Sequence, residues 1–110
     1  MKEIREYYQN EFTISTDKNR LQIEIIQKFL TEDSYWAKKR TLEQTQTAIE
    51  NSLCFGLYAE DKQIGFARVV SDYATFAYIG DLFVLAEFRG QGLSKWLMEV
   101  MISHPHLQGL

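Results

Sequence analysis

A short segment near the C-terminal end of the chain has the residue types of an anion-binding loop. Residues 89–94 read Arg-Gly-Gln-Gly-Leu-Ser and lie between an apolar run and an amphipathic pattern. Glycines let the backbone turn sharply and bring its N–H groups close to a ligand. The free N–H groups and the dipole of a helix start favour phosphate. Because Arg89 and Lys95 add positive charge, the segment predicts an anion cradle at a helix N-terminus.

Two other glycine-loop motifs do not fit this spacing. The dinucleotide fingerprint G-x-G-x-x-G requires a third glycine at position 95, where the chain has a lysine. The phosphate loop G-x-x-x-x-G-K-S/T has no match in the sequence. A tight strand-to-helix turn that binds nothing is the remaining alternative.

One carboxylate stands inside an otherwise uncharged run. Residues 76–85 predict a central strand in which Asp81 is the only charged residue. Alternation along a strand gives Asp81 a face that it shares with three apolar residues. These are Ile79, Phe83 and Leu85. A carboxylate among apolar neighbours is expected to have a raised pKa, which makes Asp81 the candidate general base. The alternative is a carboxylate paired with neighbouring backbone amides.

Two histidines and one cysteine are weaker candidates for chemistry. His104 and His106 flank Pro105 without a nearby carboxylate or cysteine, so a structural role at a helix end is favoured over a metal site. Cys54 lies in an apolar run with no adjacent base and is predicted to be a buried apolar side chain. With one cysteine, an internal disulfide is excluded.

Hydrophobic patterning predicts the elements of the N-terminal half. Phe12–Ser15 alternates apolar and polar residues and predicts a short strand. Asp17 is a candidate N-cap for a first helix. The apolar stripe of that helix consists of Leu21, Ile25, Ile26, Phe29 and Leu30. Residues 41–44, Thr-Leu-Glu-Gln, match a capping box and predict a second helix.

The C-terminal half has a different pattern. Leu53–Ala59 and residues 64–70 are apolar runs on either side of a short polar segment, which predicts a β-hairpin. The strand at 76–85 follows. A final amphipathic helix begins at Gly92 and ends before Pro105. Its apolar positions are Leu93, Trp96, Leu97, Val100 and Met101. The resulting order, β-α-α-β-β-β-α, indicates the α/β (α+β) class.

Composition narrows the class of protein. A length of 110 residues fits one domain, residues 1–110. The mixture of 45% hydrophobic and 25% charged residues argues against a disordered chain, and a net charge of −3 argues against nucleic acid as a partner. No apolar run approaches the roughly 18 residues of a membrane span. Because residues 1–12 are too charged for a signal peptide, we expect a cytoplasmic protein without membrane association.

Residues 82–94, Leu-Phe-Val-Leu-Ala-Glu-Phe-Arg-Gly-Gln-Gly-Leu-Ser, resemble the acetyl-CoA motif of the GNAT superfamily of N-acyltransferases. That motif reads Q/R-x-x-G-x-G/A after a hydrophobic strand. Residues 89–93 match it position by position, whereas Ser94 stands where Gly or Ala is usual. The upstream strand, paired helices and hairpin also match, so the resemblance covers nearly the whole chain. It implies a mostly antiparallel sheet flanked by helices.

The resemblance implies a role for each matched residue. The strand before the loop offers main-chain groups to the pantetheine arm of acetyl-CoA, which places Phe83, Val84 and Leu85 beside that arm. The loop amides hold the pyrophosphate. The residues with that implied role are Arg89, Gly90, Gln91, Gly92, Leu93 and Ser94. The oxyanion of the tetrahedral intermediate would be stabilised by a backbone N–H of the same strand.

The resemblance also implies an acceptor pocket. The region between the first two helices lines that pocket in the family, so Tyr35 and Trp36 are candidate substrate contacts. Packing of both rings on the domain surface is the alternative. Family bases often lie on the strand of Asp81, although not reliably at its position. Arg68 could meet an acidic acceptor, and a solvated strand residue is the simpler interpretation.

Members of the family continue past the loop helix with a further strand, a helix and a closing pair of strands. That region supplies one wall of the coenzyme cleft and often a tyrosine that protonates the leaving thiolate; no tyrosine here matches, and none is assigned. Without it, the strand at 76–85 is expected to have an unpaired apolar edge. Self-association into a homodimer through this edge is the favoured expectation; completion by another chain and poor solubility are the alternatives. A chain shortened from a longer parent is equally consistent with the sequence.

The sequence thus predicts an N-acetyltransferase that transfers the acetyl group of acetyl-CoA to a primary amine by direct attack, without a metal. The acceptor is a small-molecule or peptide amine. The alternative function is a degenerate, non-catalytic module that binds CoA or serves assembly.

Overall fold

Five antiparallel strands and three α-helices form the fold within residues 3–110, which are the residues that the computed structural model describes. Met1 and Lys2, the start of the charged N-terminal segment, lie outside the described residues. The strands are β1 (Glu6–Gln9), β2 (Phe12–Ser15), β3 (Leu53–Ala59), β4 (Lys62–Ser71) and β5 (Ala77–Val84). The α-helices are α1 (Ile23–Lys28), α2 (Leu42–Glu50) and α3 (Leu93–Ile102). The predicted α+β class is confirmed.

Each strand pairs with its neighbours in sequence, so the sheet order is β1-β2-β3-β4-β5. The predicted hairpin is confirmed with a tighter turn than the sequence indicates, because Lys62 pairs with Ala59 and belongs to β4. Glu60 in this turn has φ +53°, and Asn10 between β1 and β2 has φ +55°. Strand β1 is not predicted by its sequence, Glu-Tyr-Tyr-Gln, because its side chains are exposed or half-buried at the edge of the sheet.

The sheet separates two apolar cores. On one face, α3 packs its buried residues against the strands, with Ile14, Leu57 and Val69 at the centre. On the other face, Ile26 of α1 and Phe29 lie against Phe66 and Phe83. The predicted α3 stripe is confirmed, since Leu93, Leu97, Val100 and Met101 are buried. The helix ends before Pro105 as expected.

The predicted first helix is wrong in its extent. Asp17 caps a short 3₁₀ helix, Lys18–Arg20, by accepting from the N–H of Asn19, and the chain is then extended at Leu21. Helix α1 begins only at Ile23 and passes into a π turn, Phe29–Asp33.

The interruption has a physical cause in the pairing of two glutamines. The N–H of Gln22 donates to Oε1 of Gln63 at 2.7 Å, and the N–H of Gln63 donates to Oε1 of Gln22 at 3.0 Å. Gln63 is fully buried in β4. These bonds satisfy buried polar groups by fastening Gln22 to the hairpin, which removes it from a helical path.

Strand β5 forms one edge of the sheet in the described part of the chain, because its pairing partner there is β4 alone. Phe76 and Tyr78 are exposed beside this edge. No helix between residues 3 and 110 has both the length and the apolar character that crossing a membrane requires.

Truncation of the N-cap of α2 should destabilise the fold. Thr41 accepts from the N–H of Gln44, and Oε1 of Gln44 accepts from the N–H of Thr41. Thr41→Ala removes one of these bonds and should lower the free energy of unfolding by about 1 kcal/mol. Thr47→Ala makes the same chemical change at an exposed position of the same helix and should be neutral or slightly stabilising. Urea unfolding of both variants measures the difference, and equal losses would contradict the capping argument.

Pairing of two copies through the β5 edge stays a prediction. An unpaired strand edge with apolar neighbours is a template for a second strand. We expect sedimentation equilibrium to give a mass that rises from monomer towards dimer with concentration. A monomer at every concentration would contradict this prediction.

Candidate functional site

The backbone of the glycine loop has a shape that favours glycine at two positions. Gly90 has φ +83° and Gly92 has φ +78°, in the left-handed region that other residues avoid. A Cβ atom at either position would meet nothing within 4 Å, so no packed atom forces these glycines on the sequence. Glycine is therefore favoured by the backbone conformation at these two positions, and the surface of the loop is open.

This loop presents a row of N–H groups that the described residues leave without acceptors. The main-chain N–H groups of residues 90–95 donate to no acceptor within residues 3–110, and Gly92 caps α3 without a side-chain bond. Arg89 and Lys95 line the same cavity, of about 130 Å³, with the two glycines. Unpaired N–H groups at the positive end of a ten-residue helix, beside two cations, attract an anion.

The end of β5 lies directly beside this loop. The N–H of Leu85 donates to the carbonyl of Ile64 on β4 at 2.8 Å. Because successive residues of a strand point their polar groups in opposite directions, the N–H and carbonyl of Val84 point to the open edge. Nε of Arg89 donates to that carbonyl at 2.9 Å. The N–H of Val84 is therefore an outward donor next to the loop.

The side chains of the predicted coenzyme contacts serve mainly to anchor the backbone. Phe83 is buried, and its ring stacks on Phe29 with centroids 4.0 Å apart. Val84 and Leu93 are buried in the α3 core. Gln91 and Ser94 are exposed on the loop surface. Phe83, Val84 and Leu93 therefore offer a ligand their main-chain groups, whereas the side chains of Gln91 and Ser94 are also accessible.

Asp81 does not share a face with all three of the apolar residues that strand alternation predicts. Between β4 and β5 the register shifts, so that Arg68 pairs with Gly80 while Phe66 pairs with Phe83. This β-bulge places Asp81 at φ +53° and reverses the alternation. As a result Ile79 packs in the α3 core and Phe83 in the α1 core, which corrects the prediction of a shared face.

Three donors from distant parts of the chain surround the Asp81 carboxylate. Arg40 donates through Nη1 and Nη2 at 3.0 and 3.2 Å, one bond to each oxygen. Nε of Arg68 donates at 2.8 Å, and Nε1 of Trp36 donates at 3.2 Å. The Asp81 side chain is 4% exposed, against 20% for Arg40 and 17% for Arg68. We call Asp81, Arg40, Arg68 and Trp36 the Asp81 network.

The expected rise in the pKa of Asp81 is wrong. Burial acts to raise the pKa of this carboxyl, but hydrogen bonds from Arg40, Arg68 and Trp36 outweigh it and hold the pKa below its usual value. The sequence around Asp81 does not indicate these donors, because Arg40 and Arg68 lie 41 and 13 positions away. The base assignment for Asp81 therefore loses its physical argument and stays an untested prediction.

The structure also changes the interpretation of the neighbouring candidates. Arg68 is not a solvated strand residue, because it bonds Asp81 and, through Nη1, Oγ of Ser52. Trp36 contacts Asp81, whereas Tyr35 is 88% exposed and packs edge-on against Trp36. Sequence analysis misses Arg40, since it is the last of three consecutive basic residues and nothing local marks it as the buried one.

The surroundings of the two histidines and the cysteine favour structural roles for them. His104 is buried, stands edge-on to Phe55, and accepts from the N–H of His106 through Nδ1. Burial lowers its pKa, and the charge of His106 lowers it further. Burial also raises the pKa of the Cys54 thiol to about 11, in agreement with its predicted apolar role. No group of three or more His, Cys, Asp or Glu side chains among residues 3–110 is placed to hold a metal ion.

The fold has counterparts in known proteins. The model of the acetyltransferase (GNAT) family matches residues 3–109, and the chain belongs to this family. A crystal structure of a GNAT-family protein from Xanthomonas campestris pv. campestris, described as a "putative acetyltransferase", is 51% identical with a TM-score of 0.89. The match covers 92% of this chain and 71% of that one.

Two curated relatives have similar names. "Putative acetyltransferase FG08082" of Gibberella zeae is 28% identical over 83% of this chain. "Uncharacterized N-acetyltransferase ycf52" of Gracilaria tenuistipitata var. liui is 39% identical over 64% of this chain. The matches span 62% and 41% of those proteins, so the chain corresponds to less than two thirds of either relative.

Neutralising Asp81 should destabilise the protein. Asp81→Asn keeps the side-chain shape, and asparagine tolerates the left-handed conformation, but Arg40 and Arg68 lose their counter-charge. We expect a loss of about 3 kcal/mol in the free energy of unfolding at pH 7. Asp61→Asn, at an exposed turn position, is the matched control and should change it by less than about 0.5 kcal/mol.

The pH dependence of this loss is a further measurement on the same variant. Since the folded pKa of Asp81 lies below the unfolded value of about 4, the ionised carboxylate stabilises the fold above that pH. The contribution is lost as the pH falls through the folded pKa. In urea titrations the gap between the unmodified protein and the variant should stay constant from pH 7 to about pH 4 and narrow below that pH, so an undiminished gap at pH 3 would contradict the argument.

Proposed function

We propose that this chain forms the acetyl-CoA-binding part of an N-acetyltransferase that acetylates a primary amine. The observation that carries the proposal is the row of unpaired N–H groups at residues 90–95, directly after the open edge of β5. Family membership supports the class of reaction. The exposed loop, with two cations and no carboxylate lining its cavity, fits a pyrophosphate.

Acetyl-CoA is the donor substrate and supplies an acetyl group from its thioester. The amine attacks the carbonyl carbon, a C–N bond forms, and the C–S bond breaks as the tetrahedral intermediate collapses. The CoA thiolate leaves and takes up a proton, and the attacking amine loses one. Positioning of the two reactants supplies much of the rate enhancement in such a direct transfer.

The main chain of β5 is suited to stabilising the negative charge that develops on the oxygen of the thioester carbonyl. The outward N–H of Val84 lies at the point where the strand meets the loop, and Arg89 holds the adjoining carbonyl in place. A fixed N–H donor stabilises an oxyanion without reorganising. We assign this role to Val84, with the neighbouring main chain of Phe83 and Leu85 beside the pantetheine arm.

Asp81 is better suited to positioning than to proton transfer. Its two oxygens already accept four hydrogen bonds, and its lowered pKa makes it a weak base near neutral pH. We propose that it orders Trp36, Arg40 and Arg68 on the acceptor side of β5. Tyr35 and Trp36 remain the proposed acceptor contacts.

Calorimetric titration with acetyl-CoA tests the loop assignment. Gly92→Asp puts a carboxylate beside the proposed pyrophosphate and should weaken the affinity at least about tenfold through like-charge repulsion. Gly109→Asp is a matched control, because Gly109 also has positive φ (+78°) and open space around it but lies outside the loop. Gly92→Ala separates backbone strain from charge.

Each outcome of this titration has a definite meaning. Unchanged affinity in Gly92→Asp would contradict the cradle assignment. Micromolar binding by the unmodified chain, followed by release of CoA in the presence of amines, supports the enzyme. Binding without turnover would favour the alternative of a non-catalytic CoA-binding or assembly module.

A further inference from the structure

The Asp81 network contains one more positive charge than negative. Two guanidinium groups share a single carboxylate, and within residues 3–110 neither arginine forms an ion pair with another acid. All three side chains are at most one-fifth exposed. A partly desolvated surplus charge is unfavourable until an anion joins it. The network therefore has one negative charge fewer than its arginines can pair.

The guanidinium of Arg68 has a donor group that is unused within residues 3–110 and lies next to Gly80. Arg68 uses Nε for Asp81 and Nη1 for Ser52, while its Nη2 has no acceptor in the described part of the chain. A Cβ at Gly80 would lie 3.6 Å from that Nη2, so the absence of a side chain at Gly80 leaves this group uncovered. The planar fork of a guanidinium matches a carboxylate.

These donors lie beside β5, the strand that contains Val84, the residue assigned to the oxyanion of the proposed reaction. Asp81 and Val84 are three residues apart on β5, or about 10 Å along a strand. Aromatic rings flank the donors: Trp36 bonds Asp81, and Tyr78, exposed, lies over Gly80. This distance must hold the acceptor together with the thioester carbonyl that faces Val84, so a carboxylate on Arg68 and the attacking amine need to be only a few bonds apart.

We propose that the acceptor amine carries a carboxylate, which Arg68 binds through its free donors with Arg40 adding charge, so that the substrate class is free amino acids or short peptides. This inference rests on the proposed acetyl transfer. A single surplus charge favours a carboxylate over a doubly charged phosphate. Trp36 and Tyr78 contact the apolar part of the acceptor, and its amine points towards Val84.

The first experiment compares two pools of acceptors in a CoA-release assay. One contains L-amino acids and Gly-X dipeptides, and the other contains their C-terminal amides. A neighbouring carboxylate keeps more of the α-amine protonated, so intrinsic reactivity favours the amides. We expect CoA release to be at least about tenfold faster with the acids, because an amide acceptor lacks the charged hydrogen bond to Arg68. Equal or faster release from the amides, or none from either pool, would overturn the proposal.

A pair of arginine variants then tests the assigned residue. Arg68→Gln leaves Arg40 and Trp36 on Asp81 and should raise KM for the preferred acid at least about tenfold, with KM for acetyl-CoA unchanged. Arg20→Gln is the matched control, since Arg20 also pairs with one carboxylate, Glu6, away from the network. An equal effect of both variants, or none from Arg68→Gln, would overturn the assignment.

A direct binding measurement separates this inference from the proposed function. If the unmodified chain does not bind acetyl-CoA by calorimetry, the proposed function fails and the inference falls with it. If it binds acetyl-CoA and prefers amides, the acetyl-transfer proposal stands and the carboxylate proposal alone is wrong. Should Arg68→Gln fail to fold, Arg68→Lys, which keeps the charge beside Asp81 but removes the guanidinium fork, gives the same comparison with the acid and amide pools.

Discussion

The carboxylate of Asp81 joins parts of the chain that are far apart in sequence. It joins the segment between α1 and α2, through Trp36 and Arg40, to the interior of β4, through Arg68. The bulge at Asp81 turns its side chain towards these donors and also sends Ile79 and Phe83 into different cores. One strained residue therefore sets both the packing of the edge strand and the location of the charged network.

The sequence predicts those features that depend on neighbouring residues. The capping box at Thr41, the hairpin between β3 and β4 and the glycine loop before α3 are local patterns, and the structure contains each of them. The prediction fails where pairing spans the chain. Arg40 lies 41 residues from Asp81, and Gln22 lies 41 residues from Gln63; no periodicity could relate either pair.

The error at Asp81 illustrates the limit of alternation as an argument. A strict period of two holds only while a strand keeps its register, and one extra residue reverses every side chain beyond it. The sequence around Asp81 carries a glycine at 80 but no other signal of a bulge. The bulge therefore changes which apolar residues share a face, whereas the wrong sign of the pKa shift comes from three donors far away in sequence, Arg40, Arg68 and Trp36.

The bond between Arg89 and the carbonyl of Val84 ties the glycine loop to the end of β5. Val84 is in turn buried in the α3 core, and Phe83 is stacked on Phe29 beyond the sheet. The donors on the strand and those on the loop are thus parts of one stiff body. A ligand that meets such a surface loses its own freedom on binding but does not have to order the protein as well, so more of each contact contributes to affinity.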